Sequence, residues 1–213
     1  MKILGISGSP RRGSTTDRLV QAVLDGAGGN TEFVPLAGRR IGPCMACLGC
    51  VEDNVCKVRD DMAELREQVV AADALVIGAP NYFGLLNGLT HCFLERFYQF
   101  RHRDGKALAG KLGAVASVGG RVPDLPVENL RTFFAVNQIE CVGAVSAQGP
   151  ASCFSCGYGE ACHAGAVRKL FGSDARITPE NTPALAKQPD KIEAARALGA
   201  ELARRFLERA AAT

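Results

Sequence analysis

Residues 2–16 read KILGISGSPRRGSTT, and this stretch decides the fold. Ile3 to Ile6 are apolar apart from Gly5, which is typical of a strand that is buried on both faces. A polar turn that contains glycine follows at once, and residues 16–27 then have the spacing of an amphipathic helix. A strand, a short turn and a helix in this order predict the first half of a βαβ unit, and therefore a parallel sheet.

The same alternation continues along the chain. Apolar runs predict further strands at 31–36, 74–79, 112–118 and 139–145, and helical spacing predicts helices at 61–72, 86–100, 126–136 and 191–211. Because crossover connections are right-handed and short, we expect an α/β, three-layer sandwich with a doubly wound five-stranded parallel sheet in the order 2-1-3-4-5. At 213 residues this predicts a single domain, 1–213, with two cysteine-rich insertions at 38–59 and 147–163.

Composition excludes several classes of protein. Hydrophobic residues at 47% and charged residues at 22% are ordinary for a globular chain and argue against disorder. The net charge is +3 and the basic residues are scattered, so we expect no nucleic-acid partner. The apolar stretch Ile3 to Ile6 is too short for a signal or a membrane span, so we expect no membrane association and a cytoplasmic location.

The turn after the first strand has the features of an anion site. Free backbone N–H groups and the helix dipole both favour a negative charge there. Its glycines have the wrong spacing for a dinucleotide fingerprint, and Ser14 stands where a nucleotide-triphosphate loop needs lysine. What remains is Arg11 with a set of hydroxyls suited to a phosphate monoester, at Ser7, Ser9, Ser14, Thr15 and Thr16. The alternative is an ordinary Ser/Thr helix cap.

Two further turns favour a ligand over a simple cap. The third strand ends in GAPNYFG at 78–84, and the fourth ends in SVGGR at 117–121. In an open parallel sheet, these turns meet the first one at the carboxyl edge of the strands. Tyr82 and Phe83 offer aromatic contacts, and Gly119 and Gly120 allow the backbone close to a planar ring. A phosphate at one end and a flat ring at the other describe flavin mononucleotide (FMN).

The sequence resembles the NAD(P)H-dependent FMN reductases in these three turns, over about residues 1–145. The resemblance implies a flavodoxin-like fold, FMN bound without covalent attachment, and NAD(P)H as a co-substrate. The family often has lysine near His91, which we interpret here as a solvated helix residue. The candidate FMN-binding residues are Ser7, Ser9, Arg11, Ser14, Thr15, Thr16, Pro80, Asn81, Tyr82, Phe83, Gly84, Ser117, Gly119 and Gly120.

Nine cysteines are present, and four of them fall within 13 residues, at Cys44, Cys47, Cys50 and Cys56. Such clustering in a reducing compartment indicates metal or redox chemistry. The run is similar to the compact motif of the iron-sulfur flavoprotein branch of the same family, which implies a [4Fe-4S] cluster with these four thiolates as ligands. A zinc site and free or redox-active thiols are the alternatives.

A second cysteine group, Cys153, Cys156 and Cys162, is not part of the basic FMN reductase pattern. With His163 or Cys141 it could hold a metal, or Cys153 and Cys156 could form a redox dithiol. Inert thiols that stabilise a cover over the site are the third possibility.

The sequence therefore predicts an FMN-dependent oxidoreductase that exchanges electrons between NAD(P)H or a ferredoxin-type donor and an unknown acceptor. We expect FMN, and no side-chain nucleophile, to carry the chemistry. The alternatives are a flavodoxin-like electron carrier without its own substrate, a plain NAD(P)H:FMN reductase whose cysteines hold no cluster, and a flavin-free cysteine metal site used in sensing. The resemblance implies a homodimer or homotetramer, with a small molecule or a ferredoxin-like protein as redox partner.

Overall fold

The computed structural model describes residues 1–103 and 105–212, in which strands and helices alternate from the N-terminus. The strands are β1 (Lys2–Ser7), β2 (Asn30–Pro35), β3 (Ala74–Tyr82), β4 (Leu85–Leu86), β5 (Leu112–Gly119) and β6 (Glu140–Gln148). The α-helices are α1 (Thr15–Ala27), α2 (Met62–Ala71), α3 (Gly88–Glu95), α4 (Leu125–Val136), α5 (Ala166–Phe171) and α6 (Pro189–Ala212). Short 3₁₀ helices span Arg96–Phe100, Ser152–Phe154 and Leu185–Lys187.

The strand order of the sheet is the one the sequence predicts. The long strands lie in the order β2-β1-β3-β5-β6, and each is parallel to its neighbours. Counted without β4, this is the order 2-1-3-4-5. The two-residue strand β4 is an addition that pairs antiparallel with the end of β3. Two residues carry no periodicity, so no pattern in the sequence predicts it.

The core consists of two apolar layers, one on each face of the sheet. Leu4 and Ile6 of β1 face α2, α3 and α4, where Phe93 and Phe134 are buried. Ile3, which points to the opposite face, packs with the apolar residues of α1 and α6. Successive side chains of a strand point to opposite faces, so a strand covered on both sides must be apolar throughout. The predicted three-layer α/β sandwich is confirmed.

Helix α6 packs closely against α1 through a pair of glycines. A Cβ atom at Gly199 would lie 1.9 Å from the carbonyl oxygen of Val23, and one at Gly26 would lie 2.0 Å from that of Arg196. Both distances are far below van der Waals contact, so only glycine lets the two backbones approach this closely. The two helices together cover one face of the sheet.

The helices differ from the predictions mainly in the segment 86–100. The α-helical part, α3, ends at Glu95, and residues Arg96–Phe100 continue as a 3₁₀ helix. In this segment Phe93, Phe97 and Phe100 make edge-to-face contacts in the core.

Among the described residues, no helix has the length and apolar content that a membrane crossing requires.

Candidate functional site

A cavity of about 610 Å³ opens at the carboxyl edge of the sheet. That volume lies within the range of small-molecule and cofactor sites. The turns after β1, β3, β5 and β6 line it, as does the segment that leads into α6. The lining residues are Ser9, Pro10, Arg11, Arg12, Gly13, Ser14, Thr15, Thr16, Arg18, Pro80, Asn81, Tyr82, Phe83, Val118, Gly119, Gly120, Gly149, Pro150, Ala151, Ser152, Pro183, Ala184 and Leu185.

One end of this cavity is the N-terminus of α1. Ser14 caps the helix, since its hydroxyl accepts the N–H of Asp17 at 3.1 Å and its own N–H bonds to the Asp17 carboxylate at 3.3 Å. The first N–H groups of a helix have no partner within it, so those of Thr15 and Thr16 remain for another acceptor. Ser14 is therefore a cap, and the turn that it ends still presents donors to the cavity.

The turn before α1 is held by the N-terminal end of α3. The amide of Asn87 donates to the carbonyl of Gly8 at 2.8 Å, and the hydroxyl of Thr90 donates to the amide oxygen of Asn87 at 2.5 Å. A Cβ atom at Gly8 would lie only 1.9 Å from the Thr90 hydroxyl oxygen. All three residues are buried, so the turn is fixed from below while its upper side faces the cavity.

The other end of the cavity has apolar and backbone surfaces. The amide of Asn81 donates to the carbonyl of Val122 at 2.5 Å and its oxygen accepts the N–H of Gly84 at 2.7 Å, so this side chain ties the two turns together. Phe83 has φ +58° and is fully exposed. Left-handed backbone is unusual for a bulky residue and is typical of functional turns.

Most of the candidate FMN-binding residues come together at this cavity, and three do not line it. Ser7 is buried and its hydroxyl donates to Asp17 at 2.6 Å. Ser117 is also buried, and its hydroxyl donates to the carbonyl of Pro123. The N–H of Gly84 bonds to Asn81. Their described contacts hold the turns together.

The cavity also has walls outside the three turns that the sequence indicates for FMN. Residues 149–152, after β6, and residues 183–185 lie far from the three turns in sequence. Arg12 and Arg18 add two guanidinium groups near Arg11 at the polar end. The exposed arginine doublet beside a helix start was a usable signal for Arg12, whereas nothing local marks residues 183–185.

The first cysteine run forms a loop between β2 and α2 whose four cysteines line one small cavity. The loop is anchored to the end of α3 and the 3₁₀ turn after it. The N–H of Cys44 donates to the Glu95 carboxylate at 3.0 Å, and the N–H of Cys56 donates to the Gln99 side chain at 2.9 Å. Because these contacts join residues more than 40 positions apart, the rest of the fold holds the loop.

Arg96 lies beneath this loop and is only 1% exposed. Its guanidinium donates to Asp60 at 2.5 Å, to the carbonyl of Gly42 at 3.2 Å and to the Cys56 sulfur at 3.2 Å, and its Nε has no described partner. Burial alone would lower the pKa of Arg96, but the hydrogen bonds to Asp60 and Cys56 outweigh it and raise the pKa. A fixed positive charge therefore faces the thiols.

The thiols in the loop affect one another. Burial raises the pKa of Cys50, and the neighbouring sulfurs of Cys56, Cys44 and Cys47 raise it further. Four thiolates this close repel one another unless a cationic centre binds them. Within residues 1–103 and 105–212, no three His, Cys, Asp or Glu side chains converge on a single ion position. Four thiols are nevertheless a donor set that suits an iron-sulfur cluster, in which each thiolate binds a different iron, or a zinc ion.

The second cysteine group follows the wall of the cavity directly. Cys153 and Cys162 are partly buried and Cys156 is exposed, all as free thiols. Cys141 lies at the start of β6, at the other end of that strand. Outside this group, His91 is exposed on α3, as a solvated helix residue would be. The structure therefore places Cys153 beside Ser152 of the cavity and separates it from Cys141.

Comparison with known proteins agrees with this geometry. The family described as NADPH-dependent FMN reductase matches residues 1–151. An iron-sulfur flavoprotein of Methanosarcina thermophila is 38% identical over 123 residues, which are 56% of this chain and 64% of that protein. Iron-sulfur flavoprotein MJ1083 of Methanocaldococcus jannaschii is 32% identical over 149 residues, which are 67% of this chain and 76% of that protein.

Solved structures show the same fold at low sequence identity. RosB, solved with the bound intermediate 8-demethyl-8-formylriboflavin-5′-phosphate, has a TM-score of 0.68 at 17% identity, covering 98% of this chain and 81% of that one. The Trp repressor binding protein of Bacillus subtilis has a TM-score of 0.60 at 19% identity, covering 92% and 98%.

Proposed function

This chain belongs to the NADPH-dependent FMN reductase family, in the branch of the iron-sulfur flavoproteins, and from that we propose that it is an FMN-dependent electron-transfer oxidoreductase. We further propose a [4Fe-4S] cluster at the first cysteine run, and NAD(P)H or a ferredoxin-type protein as electron donor. The observation that carries the proposal is the cavity, which has N–H and guanidinium donors at one end and aromatic and glycine surfaces at the other.

The residues of this cavity fit FMN. The N–H groups of Thr15 and Thr16, with Arg11, would hold the phosphate. Helix N-terminal N–H groups and a guanidinium both donate hydrogen bonds to phosphate oxygens. Tyr82, Phe83 and the backbone at 119–120 would contact the ring. FMN supplies hydride and single-electron transfer when bound, and the protein orients it and excludes water.

The cysteine loop fits a cluster by its donor set and its supports. Cys44, Cys47, Cys50 and Cys56 would be the ligands, and Arg96 donates a hydrogen bond to the last of them. A cluster supplies one-electron transfer when bound. The backbone hydrogen bonds to Glu95 and Gln99 keep the loop in shape, and the buried guanidinium offsets part of the negative charge that four thiolates bring.

An enzyme with its own substrate is favoured over a simple carrier by the walls of the cavity. Residues 149–152 and 183–185 line the same cavity outside the three turns, and we propose that they bound the space for a second molecule beside the ring. We propose a small molecule or a ferredoxin-like protein as partner, and a homodimer or homotetramer as the assembly.

An anaerobic spectrum with iron and acid-labile sulfide assays tests the cofactors. We expect flavin bands with one FMN per chain, and about four iron and four sulfide at the first run. Cys50→Ser should abolish that cluster and keep FMN. Cys92→Ser, at a partly buried cysteine outside both groups, is the matched control and should keep both. Flavin bands with iron that is unaffected by Cys50→Ser would contradict the assignment.

The donor is tested by mixing the FMN-loaded protein with NADH, NADPH or a reduced ferredoxin without oxygen. Loss of the oxidised flavin absorbance identifies each competent donor. Reduction by ferredoxin alone would remove the NAD(P)H part of the proposal.

A further inference from the structure

Two cysteine runs of this chain share one spacing. Two residues separate Cys47 from Cys50 and five separate Cys50 from Cys56, and the same intervals of two and five recur in Cys153, Cys156 and Cys162. The second run lacks a counterpart of Cys44, because Pro150 stands at that position. It also lies beyond residue 151, where the family match ends. From this spacing and the geometry below, we propose that Cys153, Cys156 and Cys162 hold a second iron-sulfur cluster.

The second run is folded as two tight turns that meet. The N–H groups of Phe154 and Ser155 donate to the carbonyls of Ala151 and Ser152, both at 3.0 Å, which closes the first turn around Cys153. The N–H of Cys162 donates to the carbonyl of Tyr158 at 2.9 Å, which closes the second. The turns touch at the backbone, since a Cβ atom at residue 159 would lie 1.9 Å from the Cys153 carbonyl oxygen.

The sulfurs of this run accept backbone hydrogen bonds. The N–H of Ala166 donates to the Cys153 sulfur at 3.2 Å, and the N–H of Tyr158 donates to the Cys156 sulfur at 3.4 Å. The Cys162 sulfur lies beside residue 165, at 3.5 Å from the position of a Cβ there. The sulfurs of Cys153 and Cys162 therefore lie beside two consecutive residues, 166 and 165. Hydrogen bonds to ligand sulfurs are among the features that tune the potential of a cluster.

Three cysteines leave one iron of a [4Fe-4S] cluster to another ligand. His163 adjoins Cys162 in sequence and is exposed. Cys141 is excluded, because seven residues of β6 at about 3.3 Å each place it about 23 Å from the carboxyl end of that strand. The cluster therefore has three cysteine ligands and one iron open to an imidazole or to an external ligand.

The second cysteine run lies next to the proposed FMN cavity. The proposal of a second cluster rests on that proposed function, and it does not require the first cluster. Ala151 and Ser152 line the 610 Å³ cavity, and Cys153 is the next residue. A cluster here would lie at the wall of the pocket, in the part of the chain that follows the family match. The proposed site would give the flavin pocket a one-electron centre of its own.

The test reconstitutes the full chain with ferrous iron and sulfide under anaerobic conditions and measures iron, acid-labile sulfide, zinc and FMN per chain. Three variants are compared with the wild type. Cys47→Ser/Cys50→Ser removes the first run, Cys153→Ser/Cys156→Ser removes the second, and Cys92→Ser/Cys141→Ser changes two cysteines outside both. FMN content reports whether each variant is folded.

We expect about eight iron and eight sulfide in the wild type and in the control, and half of each in either of the other variants. Unchanged iron in Cys153→Ser/Cys156→Ser overturns the second cluster. Zinc that is bound by the wild type and lost in that variant also overturns it, because the second run would then be a zinc site. A Cys153–Cys156 disulfide in the anaerobic wild type overturns it as well. Iron that is unaffected by Cys47→Ser/Cys50→Ser but lost with the second run overturns the first cluster and supports the second. No iron in the wild type overturns both.

Discussion

Replacing Arg96 by glutamine should destabilise the cluster-free protein by about 3 kcal/mol. Arg96 is 1% exposed and the Asp60 side chain 11%, so the ion pair between them, at 2.5 Å, is shielded from water. Breaking a buried pair by removing one partner costs about 3 to 5 kcal/mol, because the other charge stays buried. We expect the lower end of that range, since Asp60 keeps the N–H groups of Gly42 and Met62 as donors.

Urea unfolding of the apoprotein measures this cost, and a double-mutant cycle assigns it to the pair. Arg96→Gln, Asp60→Asn and the double variant should give a coupling energy of about 2 kcal/mol. Arg131→Gln, which breaks the exposed pair with Glu128, is the matched control and should cost less than about 1 kcal/mol. If Arg96→Gln costs no more than the control, the buried pair does not support the cysteine loop as argued.

Three further results are expected. Arg11→Ala should weaken FMN binding by about 1.5 to 3 kcal/mol, about a tenfold to hundredfold rise in Kd in a flavin fluorescence titration, and an unchanged Kd would place the phosphate elsewhere. Gly199→Ala should lower the free energy of unfolding by about 1 to 3 kcal/mol, because its Cβ would meet the Val23 carbonyl. Gly88→Ala is the control and should not lower it, because the space around Gly88 is open. Equal costs of the two substitutions would contradict the close contact. Burial opposes ionisation of Asp60, but hydrogen bonds from Arg96 and two N–H groups lower its pKa, so its contribution is present above the unfolded pKa and is lost as pH falls through the folded one. The difference in stability between wild type and Asp60→Asn should therefore shrink below about pH 4, and a constant difference would count against that pKa shift.

The strand order of the sheet could be predicted because each strand is marked by its own short stretch of sequence. Ile3 to Ile6 and Ala74 to Ala79 are buried on both faces, and a continuous apolar run is the direct signature of that position. β4 and α5 have two and six residues, too few for either periodicity to register. The change from α-helix to 3₁₀ helix at Arg96 depends on contacts with the cysteine loop and the core, which no window of sequence contains.

The candidate site was likewise predictable from the sequence only in part. The turns at 8–16, 80–84 and 119–120 were predictable because parallel strands bring their carboxyl ends to one edge. The fate of individual hydroxyls was not, since Ser7 and Ser117 look like phosphate or ring donors in sequence but bond to Asp17 and the Pro123 carbonyl. Arg96 is 40 residues from Cys56, so only the tertiary structure shows that it donates to that sulfur.

The segment from Asn87 to Phe100 connects the two sites mechanically. At its start, Asn87 holds the Gly8 carbonyl beneath the turn that would take the phosphate. At its end, Arg96 and Gln99 hold the cysteine loop. Arg96 lies nine positions after Asn87, or about 13 Å further along the helix axis. Because Phe93, Phe97 and Phe100 of this segment are buried in the core, neither end can shift without disturbing it. The fold thus fixes the distance between the anion turn and the thiols through one packed element, although the two sites come from loops more than 25 residues apart in sequence.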